Sequence, residues 1–537
     1  MKRTYAWIWL GLLLVVFVLY AQLWDATFLT WDDDTNIFAN PYFTMNYWQG
    51  LWSEAYFGLY VPLTSTLWAG LYYAGSGAVW PFHLANVVLH AANISLLFVL
   101  LRRLSKQWNL SSPYALALAL GLFAVHPLQV ESVAWISGTR DLLSTFFVLL
   151  TVLVYFRKSW PSYFIATLLF VCALLAKPSV VILPLVIGLV DIWLQPKRRA
   201  WLKMLPWLAA SGLMTMITHG AQVEHFSDTI EWWYRPLLMF DSYFFYLRKL
   251  VWPFALAANY DRRPETVIAE PVRLWMAAAF GLVLIATLLW TWRKNRRVFT
   301  LVAAALLLLL PSSGIVPFGY QAISDVADHY MYLPLVALAG LALMNERWRV
   351  LPIILLPTWV WASYQRVPAW HDNPAFFTAM SESAPDSYSA AIGMSVVMCQ
   401  DLKQYDKGVE WTEKALRHHS HDLLALANKA YCLLHAGEID RVIAMQTEFD
   451  DMDRPILAAS QSTAYSSLMA SMGAALIQGG EYYNGYQYLC EAERILPSEP
   501  SYARNLETAR QILKDHGVDP VCEDPDSGEE GDEPLDD

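Results

Sequence analysis

The strongest constraint in this chain is a series of apolar runs, many close to 20 residues long, separated by short polar stretches. At about 1.5 Å of rise per helical residue, such a run matches the roughly 30 Å hydrocarbon core of a bilayer. Candidate spans fall at residues 5–23, 82–101, 114–130, 142–156, 163–175, 180–194, 201–218, 274–292, 299–310, 331–344 and 350–364, eleven in all. With 56% hydrophobic and 16% charged residues, the chain lies far from a soluble average. Its 25 Trp suit the aromatic belts at membrane interfaces. The apolar stretch after Met1-Lys2-Arg3 has a poor cleavage site at Ala21-Gln22-Leu23, and further spans follow. It is therefore read as a retained first span rather than a signal peptide.

Charge sets the direction of the spans. Basic clusters at Arg102/Arg103/Lys106, Arg157/Lys158, Lys197/Arg198/Arg199/Lys203, Arg293/Lys294/Arg296/Arg297 and Arg347/Arg349 alternate with the apolar runs. The positive-inside rule then makes the N-terminus cytoplasmic. Loops 24–81, 126–141, 220–271 and 311–330 face outward, and an odd number of spans puts the C-terminal part outward too. Within 220–271, residues 241–258 mix aromatic side chains with Arg248 and Lys249, the pattern of a helix lying in the interface.

The composition changes near residue 385. From there the spacing of small residues predicts tetratricopeptide-like helix pairs with a 34-residue period. The marks are Gly408 and Ala415, then Ala430, Gly437 and Ile439, then Gly473, Gly480, Tyr482, Gly485, Leu489, Ala492 and Pro497. The third unit comes 43 residues after the second, so an insertion is expected around 450–460. Residues 502–516 read as a capping helix. The fold class is thus all-α: a polytopic transmembrane bundle over 1–370, repeats over 386–516 and an acidic tail over 517–537. That tail has the composition of a disordered, solvating segment. The five cysteines show no zinc spacing and read as buried thiols, with a disulfide allowed in an oxidising compartment.

Ionisable residues gather in the outward loops. Trp31-Asp32-Asp33-Asp34 follows the first span, and three adjacent carboxylates raise at least one pKa by mutual repulsion. Such a group can act as a general base on a hydroxyl; the same run can also be a solvated turn. His126, Glu131, Arg140 and Asp141 fall in the next outward segment, where they are site candidates or orientation anchors. Lys177, in the break Ala176-Lys177-Pro178, could hold a phosphate as a point charge or simply snorkel. Asp328 and His329 sit at a further span end. His83, Asn86 and His90 share one helix face and suit hydrogen-bonded polar residues lining a cavity better than metal ligands. A transporter would more often carry its ionisable residues at mid-membrane, so this distribution favours a membrane-surface enzyme.

Several blocks, taken as a set, resemble the transmembrane and tetratricopeptide-repeat O-mannosyltransferases and their bacterial relatives. They are Phe28 through Asp34 with Asn40-Pro41, Pro62-Leu63-Thr64, Phe82-His83 through His90, His126-Pro127 through Leu143, Ala176-Lys177-Pro178 with Leu183-Pro184, Tyr246 through Pro253, and Gly314 through Pro334. The order of the blocks and the trailing repeats agree as well. The chain departs from the family pattern at Val61, at Thr139, which displaces the expected arginine by one position to Arg140, and at His329. The resemblance implies a GT-C glycosyltransferase fold. It implies inverting transfer of a sugar from a polyprenyl-phosphate carrier, with Asp32 and Asp33 in the paired-acid position of the base. Arg140, Lys177 and Lys249 become candidates to meet the lipid phosphate, and no metal or other cofactor is required. The expected partners are the lipid-linked donor and an acceptor protein or peptide gathered by the repeats, and no nucleic acid. The expected location is a bacterial plasma membrane, with site and repeats on the periplasmic side. The alternatives are a non-catalytic membrane scaffold that recruits partners through the repeats, and a lipid-linked sugar transporter.

Overall fold

A computed structural model describes residues 2–522 apart from 39, 45–46, 158, 195–199, 223–229, 348, 451–461 and 498. Lys158, the basic residues 197–199, the insertion at 451–460 and the tail from 523 onward lie outside the described residues. The chain divides into two compact units, Met1–Ala384 and Pro385–Asp537.

Each of the eleven apolar runs is helical over most of its length. In the first unit the principal helices are α1 (Lys2–Tyr20), α2 (Pro62–Ala74), α3 (Trp80–Gln107), α4 (Pro113–Ala124), α5 (Thr139–Tyr155), α6 (Trp160–Ala176) and α7 (Leu183–Leu194). They continue with α8 (Leu205–Gln222), α9 (Arg235–Val251), α10 (Pro271–Lys294), α11 (Arg296–Leu309), α12 (Pro334–Leu343), α13 (Leu351–Arg366) and α14 (Asn373–Ser383). No strand occurs among the described residues. Proline opens many of these helices, where its missing N–H costs nothing and its fixed φ suits the first turn. Side-chain caps complete several starts: Ser112 accepts from the Ala115 amide, Ser159 from Ser162 and Asn295 from Val298.

Five helical stretches are long and apolar enough to cross a membrane: 3–23, 80–107, 113–134, 136–155 and 271–294. Further apolar helices, among them Trp160–Ala176 and Pro334–Leu343, are shorter. The protein is a membrane protein. Burial ranks its helices: 94% of the apolar window in 113–134 is inside the bundle, against 11% in 271–294, which marks α10 as peripheral and lipid-facing.

Two differences from the sequence expectations matter for function. The run at 114–130 does not remain one α-helix: α4 stops at Ala124, because Pro127 lacks an amide hydrogen and restricts the residue before it. Residues 127–138 then form short turns, buried rather than at an open mouth. Irregular backbone at such depth persists only where protein encloses it or a cavity is lined. The helix expected at 241–258 runs instead over Arg235–Val251, opened by Pro236 and closed before Trp252-Pro253.

The second unit pairs helices α15 (Tyr388–Val396) with α16 (Tyr405–Leu416), α17 (Leu423–Ala436) with α18 (Ile439–Asp450), and α19 (Ser462–Gln478) with α20 (Tyr482–Ile495), followed by α21 (Pro500–Asp515). Its core joins Leu426, Ala430, Met469, Tyr486 and Leu489. The reading of the cysteines as thiols is corrected here: Cys399 bonds Cys432 and Cys490 bonds Cys522, leaving Cys172 free. The spacing of 33 residues in the first pair is close to one repeat, so equivalent turns of neighbouring units meet. Gly408 makes room for the bond, since a Cβ there would lie 1.9 Å from Cys399 Sγ.

Candidate functional site

The three consecutive acids have three different environments. Asp34 accepts a hydrogen bond from the Thr35 amide at 2.8 Å and starts a short helical turn, Asp34–Phe38. Asp33 is 1% exposed, and its Oδ1 accepts from the Ser137 amide at 3.0 Å and the Ser137 hydroxyl at 2.7 Å. Burial pushes its carboxyl up to about 7, against the pull of these donors. Asp32 has a side chain 34% exposed, with Oδ2 3.8 Å from Arg140 Nη2. Desolvation beneath the surrounding loops raises its pKa and Arg140 restrains the rise. Of the three, Asp32 is the acid that combines access with a cationic neighbour.

The partners of the acids come from the buried turns at 127–139. Asn86, on α3, donates to the carbonyls of Val133 (3.3 Å) and Trp135 (2.9 Å), and its own carbonyl accepts from the Thr139 hydroxyl at 2.6 Å. Trp135 donates from Nε1 to the Trp31 carbonyl at 3.0 Å, tying this turn to the acid loop. Gly138 is required here, because a Cβ would sit 2.3 Å from the Ser132 carbonyl oxygen. Arg140 donates from Nε to the Ser137 carbonyl at 3.0 Å and lies 5.6 Å from the Trp135 ring centroid and 5.9 Å from that of Trp68. One short segment thus anchors Asp33 and aims a guanidinium at Asp32.

A second layer adjoins. Lys177 pairs with Asp141 at 2.6 Å and lies 5.5 Å from the Tyr330 ring centroid. Burial lowers the Lys177 pKa, while Asp141 opposes that shift. Glu131 Oε1 shares a hydrogen bond with His329 Nδ1 at 2.6 Å, and its Oε2 accepts from the Asp328 amide at 3.0 Å. Burial pushes Glu131 up to about 8, and burial together with Lys177 pushes His329 down to about 3, so the His329 ring is neutral. Asp328 accepts from the Tyr260 hydroxyl at 2.7 Å and is pushed up to about 7 by burial and by Glu131. Lys249 donates to the carbonyls of Ala255 (2.6 Å) and Phe254 (3.3 Å), and burial lowers its pKa.

Asp32, Asp33, Glu131, Arg140, Asp141, Lys177, Asp328 and His329 therefore form one connected region, with Lys249 at its margin. Two of the remaining candidates have both ring nitrogens occupied. His126 caps its turn, with Nδ1 accepting from the Leu128 amide at 3.3 Å and Nε2 donating to the Leu250 carbonyl at 3.1 Å, so neither nitrogen is left for a phosphate. His90 contacts the Tyr332 hydroxyl (2.8 Å) and the Ala124 carbonyl (3.0 Å), which makes it a packing residue rather than a cavity wall. His83 is buried on the same helix. Among the described residues, no group of three or more His, Cys, Asp or Glu converges as a metal site.

Sequence reasoning missed Ser137 and Trp135 as partners of the acid loop, and it missed Arg366. Arg366 ends α13, and its charge restrains the rise of Asp328. A lone arginine at the outer end of a span runs against the positive-inside trend, and that signal could have found it.

The chain is similar to curated protein O-mannosyl-transferases. It is 32% identical to Tmtc1 of Drosophila melanogaster over 33% of this chain and 22% of the relative. It is 35% identical to TMTC4 of Homo sapiens over 27% of this chain and 22% of the relative. With F38B6.6 of Caenorhabditis elegans it shares 22% identity over 60% of this chain and 48% of the relative. The chain thus spans between about a fifth and a half of the length of these relatives. No family model and no solved structure matches it. The relatives support the resemblance to the transmembrane and tetratricopeptide-repeat O-mannosyltransferases that the residue blocks carry.

Proposed function

We propose that this protein is a GT-C membrane glycosyltransferase that moves a sugar from a polyprenyl-phosphate carrier to the hydroxyl of a protein Ser or Thr. The observation that carries the reading is the half-buried, solvent-reachable carboxylate of Asp32, 3.8 Å from Arg140 and backed by the buried pair Asp33–Ser137. In the proposed reaction the acceptor hydroxyl gives its proton to Asp32 as its oxygen bonds to the anomeric carbon. The bond from that carbon to the phosphate oxygen breaks, and the lipid phosphate leaves with the electron pair and with inversion at carbon. Arg140 and Lys177 meet the charge on the departing phosphate, as preorganised cations in a water-poor site do most effectively. The mechanism calls on no metal or other cofactor, because these side chains supply the positive charge. Asp33 orients the loop rather than taking the proton, because its carboxyl is buried and its Oδ1 is held by Ser137.

The site and the repeats are assigned to the periplasmic side of a bacterial plasma membrane. Two disulfides in the repeat unit support an oxidising compartment. The repeats are assigned to gathering the acceptor, as concave helical arrays commonly bind extended peptides. The test is transfer from radiolabelled polyprenyl-phosphate mannose to acceptor protein in membranes carrying the native chain or Asp32→Asn. The native chain transfers label, and the variant loses activity by about 1000-fold, as for removal of an essential base. A variant that keeps native transfer refutes the assignment of the base.

A further inference from the structure

Asp32 has a φ of 73°. For a residue with a Cβ, that left-handed conformation is strained, and it persists only where the surroundings over-determine it. Three contacts do so here. Asp33, on one side, is held by Ser137. Trp31, on the other side, has its carbonyl held by Trp135 Nε1. The third contact comes from a different part of the chain: Asn373 Oδ1 accepts from both the Thr30 amide, at 2.9 Å, and the Thr30 hydroxyl, at 3.2 Å.

Asn373 belongs to a stretch after the last apolar helix that the sequence leaves between its two domains; in the fold it is part of the first unit, Met1–Ala384. The stretch is itself well anchored. The Thr27 amide donates to the His371 carbonyl at 2.8 Å. The His371 ring bridges Asp372, at 2.9 Å, and Asp25, at 3.2 Å. Asp372 caps α14 by accepting from the Ala375 amide at 2.9 Å, which fixes Asn373 in the first turn of that helix. The Trp31 ring packs 5.7 Å from that of Phe376. The acid loop is therefore braced from 343 residues away in sequence.

We propose that Asn373 is a positioning residue: through Thr30 it holds Asp32 in its left-handed conformation and aims that carboxylate at the acceptor hydroxyl. The inference rests on Asp32 as the base. It concerns orientation, so losing the brace lowers turnover and leaves donor binding, which belongs to Arg140 and Lys177, nearly untouched.

The experiment measures steady-state transfer from polyprenyl-phosphate mannose to a Ser/Thr peptide by the purified full chain, together with its thermal unfolding midpoint. In Asn373→Ala, kcat falls about tenfold with donor KM within about twofold, the signature of a misplaced reacting group. Asn373→Asp, which keeps an acceptor oxygen at the same place, restores most of kcat, a rescue that a merely structural role does not predict. Thr30→Val removes the hydroxyl bond alone and gives the same pattern at smaller amplitude, which keeps the test available if Asn373→Ala does not fold. Native kcat in Asn373→Ala, or no rescue by Asp, overturns the inference while leaving Asp32 as the base whenever Asp32→Asn is inactive. Native transfer by Asp32→Asn refutes the base itself, and the positioning role falls with it.

Discussion

Replacing Asp33 by Asn separates the cost of burying an acid from its use. The native carboxyl is pushed from 3.8 to about 7 by burial, despite three donors that favour its charged form. Because the folded pKa lies above the unfolded one, the folded state binds the proton more tightly. The contribution of Asp33 to stability is therefore fully present below about pH 3.8 and is lost as pH rises toward 7. Integrating between those two values, holding the charge buried costs about 1–2 kcal/mol at pH 5 and about 4 kcal/mol by pH 7. Asparagine keeps an oxygen for Ser137 and never ionises. Allowing about 1 kcal/mol for the weaker hydrogen bonds of an amide, Asp33→Asn is more stable than the native chain by about 2–3 kcal/mol at pH 7–8 and close to neutral near pH 5. The assay is the thermal unfolding midpoint in detergent from pH 4.5 to 8.5, where the variant's advantage grows with pH and then levels. Transfer activity falls at the same time, since an amide oxygen holds the Ser137 donors more weakly and the loop that carries Asp32 is less firmly anchored. A difference in midpoint that does not change with pH, or a variant less stable at pH 8, refutes the reasoning.

Two further expectations follow from buried pairs and crosslinks. Lys177→Met strands Asp141 without its 2.6 Å partner and destabilises the fold by about 3–5 kcal/mol, whereas Lys177→Met with Asp141→Asn recovers most of that loss and still fails to transfer sugar; unfolding midpoints and label transfer on the three proteins check both parts. Cys399→Ser opens a crosslink between residues 33 apart and lowers the stability of the repeat unit by about 3–4 kcal/mol, read as an earlier unfolding transition without reductant; reductant then shifts the variant less than the native chain, because only Cys490–Cys522 is left to open.

Much of the first unit is legible along the chain because its causes are local. A run of apolar residues needs a helix to satisfy its own backbone in lipid, and Ser-Pro or Asn-Arg at its start supplies the cap or first turn, as at Ser112-Pro113 and Asn295-Arg296. The repeat helices follow from small residues at a fixed period, with Gly408 and Gly485 at close approaches. The acid loop is also visible, because three adjacent carboxylates beside a span are unusual whatever surrounds them.

What the chain order hides is the division of labour within that loop and the company it keeps. Asp32, Asp33 and Asp34 are the same residue type in one run. Only contacts 104 residues away make Asp33 a buried anchor, and only Arg140 marks Asp32 as the reachable acid. His126 and His90 look as available as Lys177 until the carbonyls of Leu250 and Ala124 are seen to occupy them. The cysteine pairs and the brace from Asn373 to Thr30 are likewise products of folding. Sequence by itself determined which segments suit lipid, where the helices run and in which loops the ionisable residues gather, since hydropathy, capping and charge act over a few residues. The tertiary structure alone decided which acid is reachable beside a cation and what holds its backbone in place. Desolvation and hydrogen bonding depend on atoms that only the folded chain brings within about 3 Å of each other.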